Sequence, residues 1–107
     1  MSFSVFFRTT FEAHHYWKQA PAEVKFLRDL HRHIFHVKGS VAVKHSDRDV
    51  EFIILKRRAN KIVADALAAH DTRSWSCEVW AELIGRELEL DFVEVSEDGE
   101  NGARWTR

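Results

Sequence analysis

The chain is 107 residues long, 45% hydrophobic, 31% charged and 12% aromatic, which is the composition of one soluble globular domain with a core, not of a disordered segment. Sixteen Lys+Arg stand against seventeen Asp+Glu, so there is no global basic field of the kind that draws a protein onto nucleic acid. One cysteine, Cys77, excludes an internal disulfide framework and suits a reducing compartment.

The first residues, "MSFSVFFRTTFEAHH", lack the charged segment and apolar run of a secretory signal. No later run approaches the roughly 20 apolar residues of a membrane span, so a soluble cytoplasmic protein is expected. Ser2 to Ala13 reads instead as a strand, rich in β-branched and aromatic residues. "HHYWKQAPAEVKFLRD", with the single proline Pro21, breaks that pattern and reads as a functional loop or a short irregular excursion. Leu30 to His45 reads as a second long strand, with Gly39-Ser40 a candidate bulge. "SDRD" is a turn. Phe52, Leu55, Ile62, Val63, Ala66 and Leu67 then recur at helical spacing, with Lys56, Arg57, Arg58 and Lys61 facing outward. After the polar break "HDTRS", Ser76 is a candidate N-cap for a helix whose stripe is Val79, Trp80, Leu83, Ile84 and Leu88. "DFVEVSE" is a third strand, "EDGENG" a turn and "ARWTR" a final strand. The order β-β-α-α-β-β groups like with like, which predicts an α+β domain over residues 1–107 with a four-stranded, mainly antiparallel sheet. A domain this short buries a modest share of its surface, so oligomerisation is a natural source of further burial.

"LRDLHRHIFHV" (Leu27–Val37) carries three histidines. His31 and His33, at i and i+2 on a strand, share one face roughly 6–7 Å apart along the backbone, within reach of one ion, while His36 points the other way. "FEAHH", at the end of the first strand, offers His14 or His15 as a third ligand. Three imidazoles would leave an open coordination position, the arrangement of a catalytic zinc. An H-x-H pair alone is more often a pair of polar strand residues.

Five stretches taken in order resemble the 6-pyruvoyl-tetrahydropterin synthase/6-carboxytetrahydropterin synthase family. They are "FEAHH" (Phe11–His15), "LHRHIF" (Leu30–Phe35), "EFIILK" (Glu51–Lys56), "WSCEVWAELI" (Trp75–Ile84) and "VEVSED" (Val93–Asp98). They are similar to the family's F-x-A-A-H, H-G-H-x-(F/Y), D-F-x-x-L-K, P-T-(S/A)-E-x-L-A-x-x-I and V-x-E-T patterns. The resemblance implies a T-fold with two helices on one face of the sheet. Its subunits would join edge to edge into a barrel, as trimers pairing into hexamers with ligand sites between subunits. It further implies zinc on His15, His31 and His33, and a pteridine anchored by Glu97. A carboxylate suits that anchoring because it accepts two hydrogen bonds from a guanine-like edge. Ser76, Cys77 and Glu78 would lie beside the ligand and offer backbone N–H groups. Taken alone, Glu97 reads as a solvated strand-end carboxylate.

The departures bear on the chemistry. Leu27 stands where the family's proton-transferring cysteine would be, Arg32 replaces the glycine between the histidines, and Glu51 replaces an aspartate. The family's Asp-His loop shortens to "LAAHDTRS", leaving His70 and Asp71 as catalytic candidates in reversed order. Glu23, Lys25, Asp29 and Cys77 are candidate substitutes for the missing cysteine. Two functions follow as expectations. One is zinc-dependent, lyase-type chemistry on a dihydroneopterin triphosphate-like pteridine. The other is a catalytically degenerate T-fold that sequesters a purine- or pterin-type nucleotide, a sponge of viral or bacterial type, with Arg28, Arg32, Arg57, Arg58 and Arg73 as phosphate contacts.

Overall fold

Successive side chains of a strand point to opposite faces, so a sheet with one core face needs constant parity along each strand. The computed structural model, which describes residues 2–107, meets this requirement with odd-numbered residues throughout. β1 (Phe3–His15) pairs antiparallel with β2 (His31–Val43), setting Phe3 opposite Val43 and His15 opposite His31. β3 (Phe92–Glu97) pairs with β2, Glu97 opposite Phe35, and β4 (Asn101–Thr106) completes an antiparallel sheet of order β1-β2-β3-β4. Every register pairs odd with odd, so Phe7, Phe35, Val37, Val93 and Val95 share one buried face. At one end of the sheet the same face continues into His15, His31, His33 and Glu97.

α1 (Phe52–Ala69) and α2 (Cys77–Glu87) cover this face and share its core. The fold is therefore α+β with a four-stranded antiparallel sheet, in the expected element order. Glu51 caps α1, its carboxylate accepting from the N–H groups of Ile53 and Ile54. A glutamate at this position thus supplies a capping carboxylate. Ser76 caps α2 as expected, its Oγ accepting from the N–H of Val79.

The buried helical stripes are made of smaller residues than the spacing suggests. α1 buries Leu55, Ala59, Val63 and Ala66, and α2 buries Cys77, Trp80, Ala81, Ile84 and Gly85. Phe52, Leu67 and Val79, expected inward, are exposed. Bulk supplied by the sheet explains the difference: Trp105 fills the space where a Gly85 Cβ would be, so the helix approaches through small side chains. The expected bulge at Gly39-Ser40 is also corrected. The β1–β2 register runs through it unbroken, Gly39 opposite Phe7 and Ser40 opposite Phe6. Gly39 has a packing reason instead, since a Cβ there would come within 2.7 Å of Phe7 and 2.8 Å of Leu90.

The excursion after β1 is ordered into 3-10 turns over Ala22–Arg28, kinked at Val24. Trp17 N–H donates to Leu27 O (2.7 Å), Arg28 Nε to Ala20 O (2.8 Å) and Tyr16 N–H to Arg73 O (2.8 Å). These bonds fold the segment back onto the histidine end of the sheet. At that end β3 and β4 join through Asp98-Gly99-Glu100. Asp98 and Gly99 both take positive φ (55° and 74°), as the two central residues of a type I′ turn do, and the Glu100 N–H donates to the Glu97 carbonyl across it at 3.0 Å. Among the described residues no helix is long and apolar enough to cross a membrane.

Candidate metal centre

Register brings the three histidines together. His15 and His31 are direct cross-strand partners, a relation that brings Cβ atoms to about 4.5–5.5 Å. His33 follows two residues along the same face. The ring centroids lie 4.5 Å (His15–His31), 5.4 Å (His15–His33) and 5.0 Å (His31–His33) apart. One ligand nitrogen from each falls within 4.8 Å of the others, so the cluster could hold a metal ion. His36, as expected, lies on the opposite face, exposed, its ring next to Gly99.

Each imidazole is held from behind at Nδ1. His15 Nδ1 lies 3.0 Å from the Trp75 carbonyl, His31 Nδ1 2.8 Å from the Asp29 carbonyl, and His33 Nδ1 2.6 Å from Asp98 Oδ2. A carbonyl or carboxylate can only accept, so these partners assign a proton to Nδ1, and in the neutral ring the free lone pair then lies on Nε2. Outer partners of this kind are what orient metal-ligating histidines.

Glu97 faces the same space. Its oxygens approach His15 Nε2 at 3.3 Å and His33 Nε2 at 3.2 Å. The first approach is not aligned for a hydrogen bond, and buried His15 Nε2 has no hydrogen-bond partner among the described residues. An unsatisfied buried polar atom costs about 1–3 kcal/mol. A carboxylate facing the lone pairs of neutral imidazoles adds repulsion. A cation among them resolves both, and three imidazole nitrogens are a donor set that zinc accepts. The residues therefore fit a metal ion.

The site opens onto a pocket of about 510 Å³. His15, His31, Glu97, Ser76, Cys77 and Leu27 line it, together with the aromatic side chains of Tyr16, Trp17 and Trp75. The ligand-side residues expected from sequence therefore share one cavity with the metal cluster. Cys77 Sγ lies 4.0 Å from Glu97 Oε1. Burial, then the negative charges of Glu97 and Glu78, push its thiol up to about 12, so it is protonated and a poor nucleophile at neutral pH.

His70 and Asp71 lie elsewhere in the chain. His70 ends α1 with its ring 5.9 Å from that of Trp75. Exposed Asp71 is bound by the Arg73 guanidinium, which draws its carboxyl down to about 2. Neither lines the pocket of its own chain. Glu23, Lys25 and Asp29 do not line it either, although the Asp29 carbonyl holds His31. The five arginines suggested for phosphate are also outside it. Arg32 pairs with Glu12, Arg73 with Asp71, and Arg28 with the Ala20 carbonyl.

Sequence reasoning missed Asp98 and the aromatic walls. Hydrogen bonds from His33, then from the Ile34 N–H, hold the Asp98 carboxyl below the usual carboxylate range. The Asp-Gly turn is readable, but its return to His33 follows from the β2–β3 register. Trp17 and Trp75 carry no spacing signal at all. Compared with known proteins, the chain matches no protein-family model and no curated protein.

Proposed function

We propose that the chain is a divergent relative of the 6-pyruvoyl/6-carboxytetrahydropterin synthases. In this reading it is a cytoplasmic T-fold that binds zinc through His15, His31 and His33 and takes a dihydroneopterin triphosphate-like pteridine in the adjoining pocket for lyase-type chemistry. The observation that carries this reading is the convergence of the three imidazoles to within 4.8 Å of one another at one ligand nitrogen each, every ring backed by an acceptor at Nδ1, with His15 and His31 on the wall of that pocket.

Zinc bound there would supply a Lewis acid for an oxygen of the ligand's side chain. The remaining work falls to the chain. Glu97 accepts from the N–H and NH₂ of the heterocycle's guanine-like edge. The first-turn N–H groups of α2 suit a carbonyl or anionic acceptor of the ligand. Tyr16, Trp17 and Trp75 provide apolar walls for a flat ring, and the cavity falls within the usual size range of small-molecule sites. The unpaired outer edges of β1 and β4 suit assembly into a barrel of trimers pairing as hexamers. In such an assembly His70 and Asp71 would move protons only at a neighbouring subunit's site.

A second reading, retention of a pterin or purine nucleotide without turnover, is favoured by one observation. Leu27, which stands where the resemblance would put a proton-transferring cysteine, lines the pocket with a side chain that cannot transfer a proton, and the nearest thiol, Cys77, is held protonated. Metal analysis of purified protein should find about one zinc per chain, lost in His31→Ala and His33→Ala. Incubation with dihydroneopterin triphosphate then separates the readings. Product supports the enzyme, and tight retention without product supports the binder. A metal-free wild type overturns both zinc readings.

A further inference from the structure

Only one of the three acceptors behind the histidines is a side chain. His15 and His31 rest on main-chain carbonyls, which no side-chain substitution removes, whereas His33 rests on the carboxylate of Asp98. That carboxylate is itself fixed. Its Oδ1 accepts from the Ile34 N–H at 2.9 Å while Oδ2 takes His33 Nδ1 at 2.6 Å, and the Asp98 N–H donates to the Ile34 carbonyl at 2.7 Å. Both oxygens are committed, so the side chain cannot swing away without losing two bonds. The positive φ of Asp98 and Gly99 folds the turn back over β2 and makes this reach possible.

We propose that Asp98 is the positioning residue of the metal site: it fixes His33 as the Nδ1–H tautomer and sets its ring plane, so that Nε2 faces the ion. This inference rests on the metal reading above and adds to it a carboxylate–histidine–metal relay built by the β3–β4 turn. Removing an outer partner of this type weakens metal binding about 10–100-fold. Asp98→Asn is the discriminating change. Asparagine tolerates positive φ, so the turn persists. Its single oxygen cannot serve both the Ile34 N–H and His33 Nδ1–H, and an amide NH₂ turned towards Nδ1 favours the opposite tautomer, which blocks the lone pair on Nε2.

The experiment is a zinc titration against a chromophoric competitor, on wild type and Asp98→Asn, with the His33 tautomer read from imidazole ¹⁵N shifts of the metal-free proteins. Wild-type His33 is expected as Nδ1–H. The variant is expected to shift towards Nε2–H and to bind zinc about 10–100-fold more weakly. A lowered unfolding temperature with tautomer and zinc affinity unmoved marks a purely structural role and overturns the proposal. Wild-type His33 found as Nε2–H overturns it too, and that measurement decides even if the variant does not fold. Wild type that binds no zinc fails the metal reading itself, whereas tight wild-type binding matched by the variant fails only the role of Asp98.

Discussion

Glu97 sits where two requirements conflict, and that conflict makes it testable. In the metal-free protein its carboxylate approaches the Nε2 atoms of His15 and His33, and where those imidazoles are neutral with the proton on Nδ1, acceptors face acceptors. Glu97→Gln replaces one oxygen with a donor. With neutral imidazoles, the metal-free variant should gain about 1 kcal/mol in denaturant unfolding, the net worth of one hydrogen bond. The same change should weaken binding of a pteridine at least about tenfold, because the amide presents one acceptor where the guanine-like edge needs two. A variant that loses stability instead would place Glu97 in the scaffold. Cys77 gives a second residue-scale test. Its thiol is raised to about 12 against an ordinary value of 9.0. The folded state therefore prefers the neutral form, and stability is lost as pH rises from about 9 through about 12. Iodoacetamide should modify native Cys77 slowly at pH 8 and rapidly once the chain is unfolded. Fast native alkylation would return it to the list of reactive groups.

Among the elements, the α2 N-terminus joins fold to site. Ser76→Ala removes the acceptor for the Val79 N–H and should cost about 1 kcal/mol in denaturant unfolding. Because Ser76 and Cys77 line the pocket, the loosened first turn should also weaken binding of the proposed pteridine ligand. Gly85→Ala poses a contest of magnitudes. Alanine gains about 1 kcal/mol of helix propensity over glycine, but its Cβ would overlap the Trp105 ring, and overpacking costs about 1–3 kcal/mol. Net destabilisation is expected. The element order was legible because each segment carries its own period, two in the strands and 3.6 in the helices. Ser76 was legible because a cap is a local device. The buried helix stripe was not, because its choice of Ala59, Ala81 and Gly85 over Phe52 and Val79 depends on Trp105, from a strand that follows both helices. The kinked 3-10 turns were equally opaque, held as they are by bonds such as Trp17 to Leu27 and Tyr16 to Arg73. The histidine pair could be read from i, i+2 spacing. Asp98 could not, since it meets His33 across 65 positions of sequence.

At the scale of the molecule, the sheet ends in β1 and β4, whose outer edges are unpaired among the described residues. Phe3, Phe6, Phe52, Ile53 and Ile54 are each at least half exposed. So small a domain gains from covering such surface, and open edges invite pairing. Sedimentation is expected to show trimers or hexamers, and Phe52→Asp with Ile53→Asp to reduce the mass without altering the far-ultraviolet spectrum. A monomer at tens of micromolar would sink the barrel. The candidate site makes a sharper prediction. All three histidines and their Nδ1 partners come from one chain: the histidines from β1 and β2, the partners from Asp29 before β2, Trp75 before α2 and Asp98 in the β3–β4 turn. Zinc occupancy should therefore be unchanged when dilution or the α1 substitutions separate the subunits. A pteridine that completes its contacts across a subunit boundary should lose affinity under the same treatment. Zinc and ligand falling together would mean that the metal site itself needs the neighbour. Zinc retained while ligand is lost is the result expected of a metal site built within one chain and a pocket finished by the next.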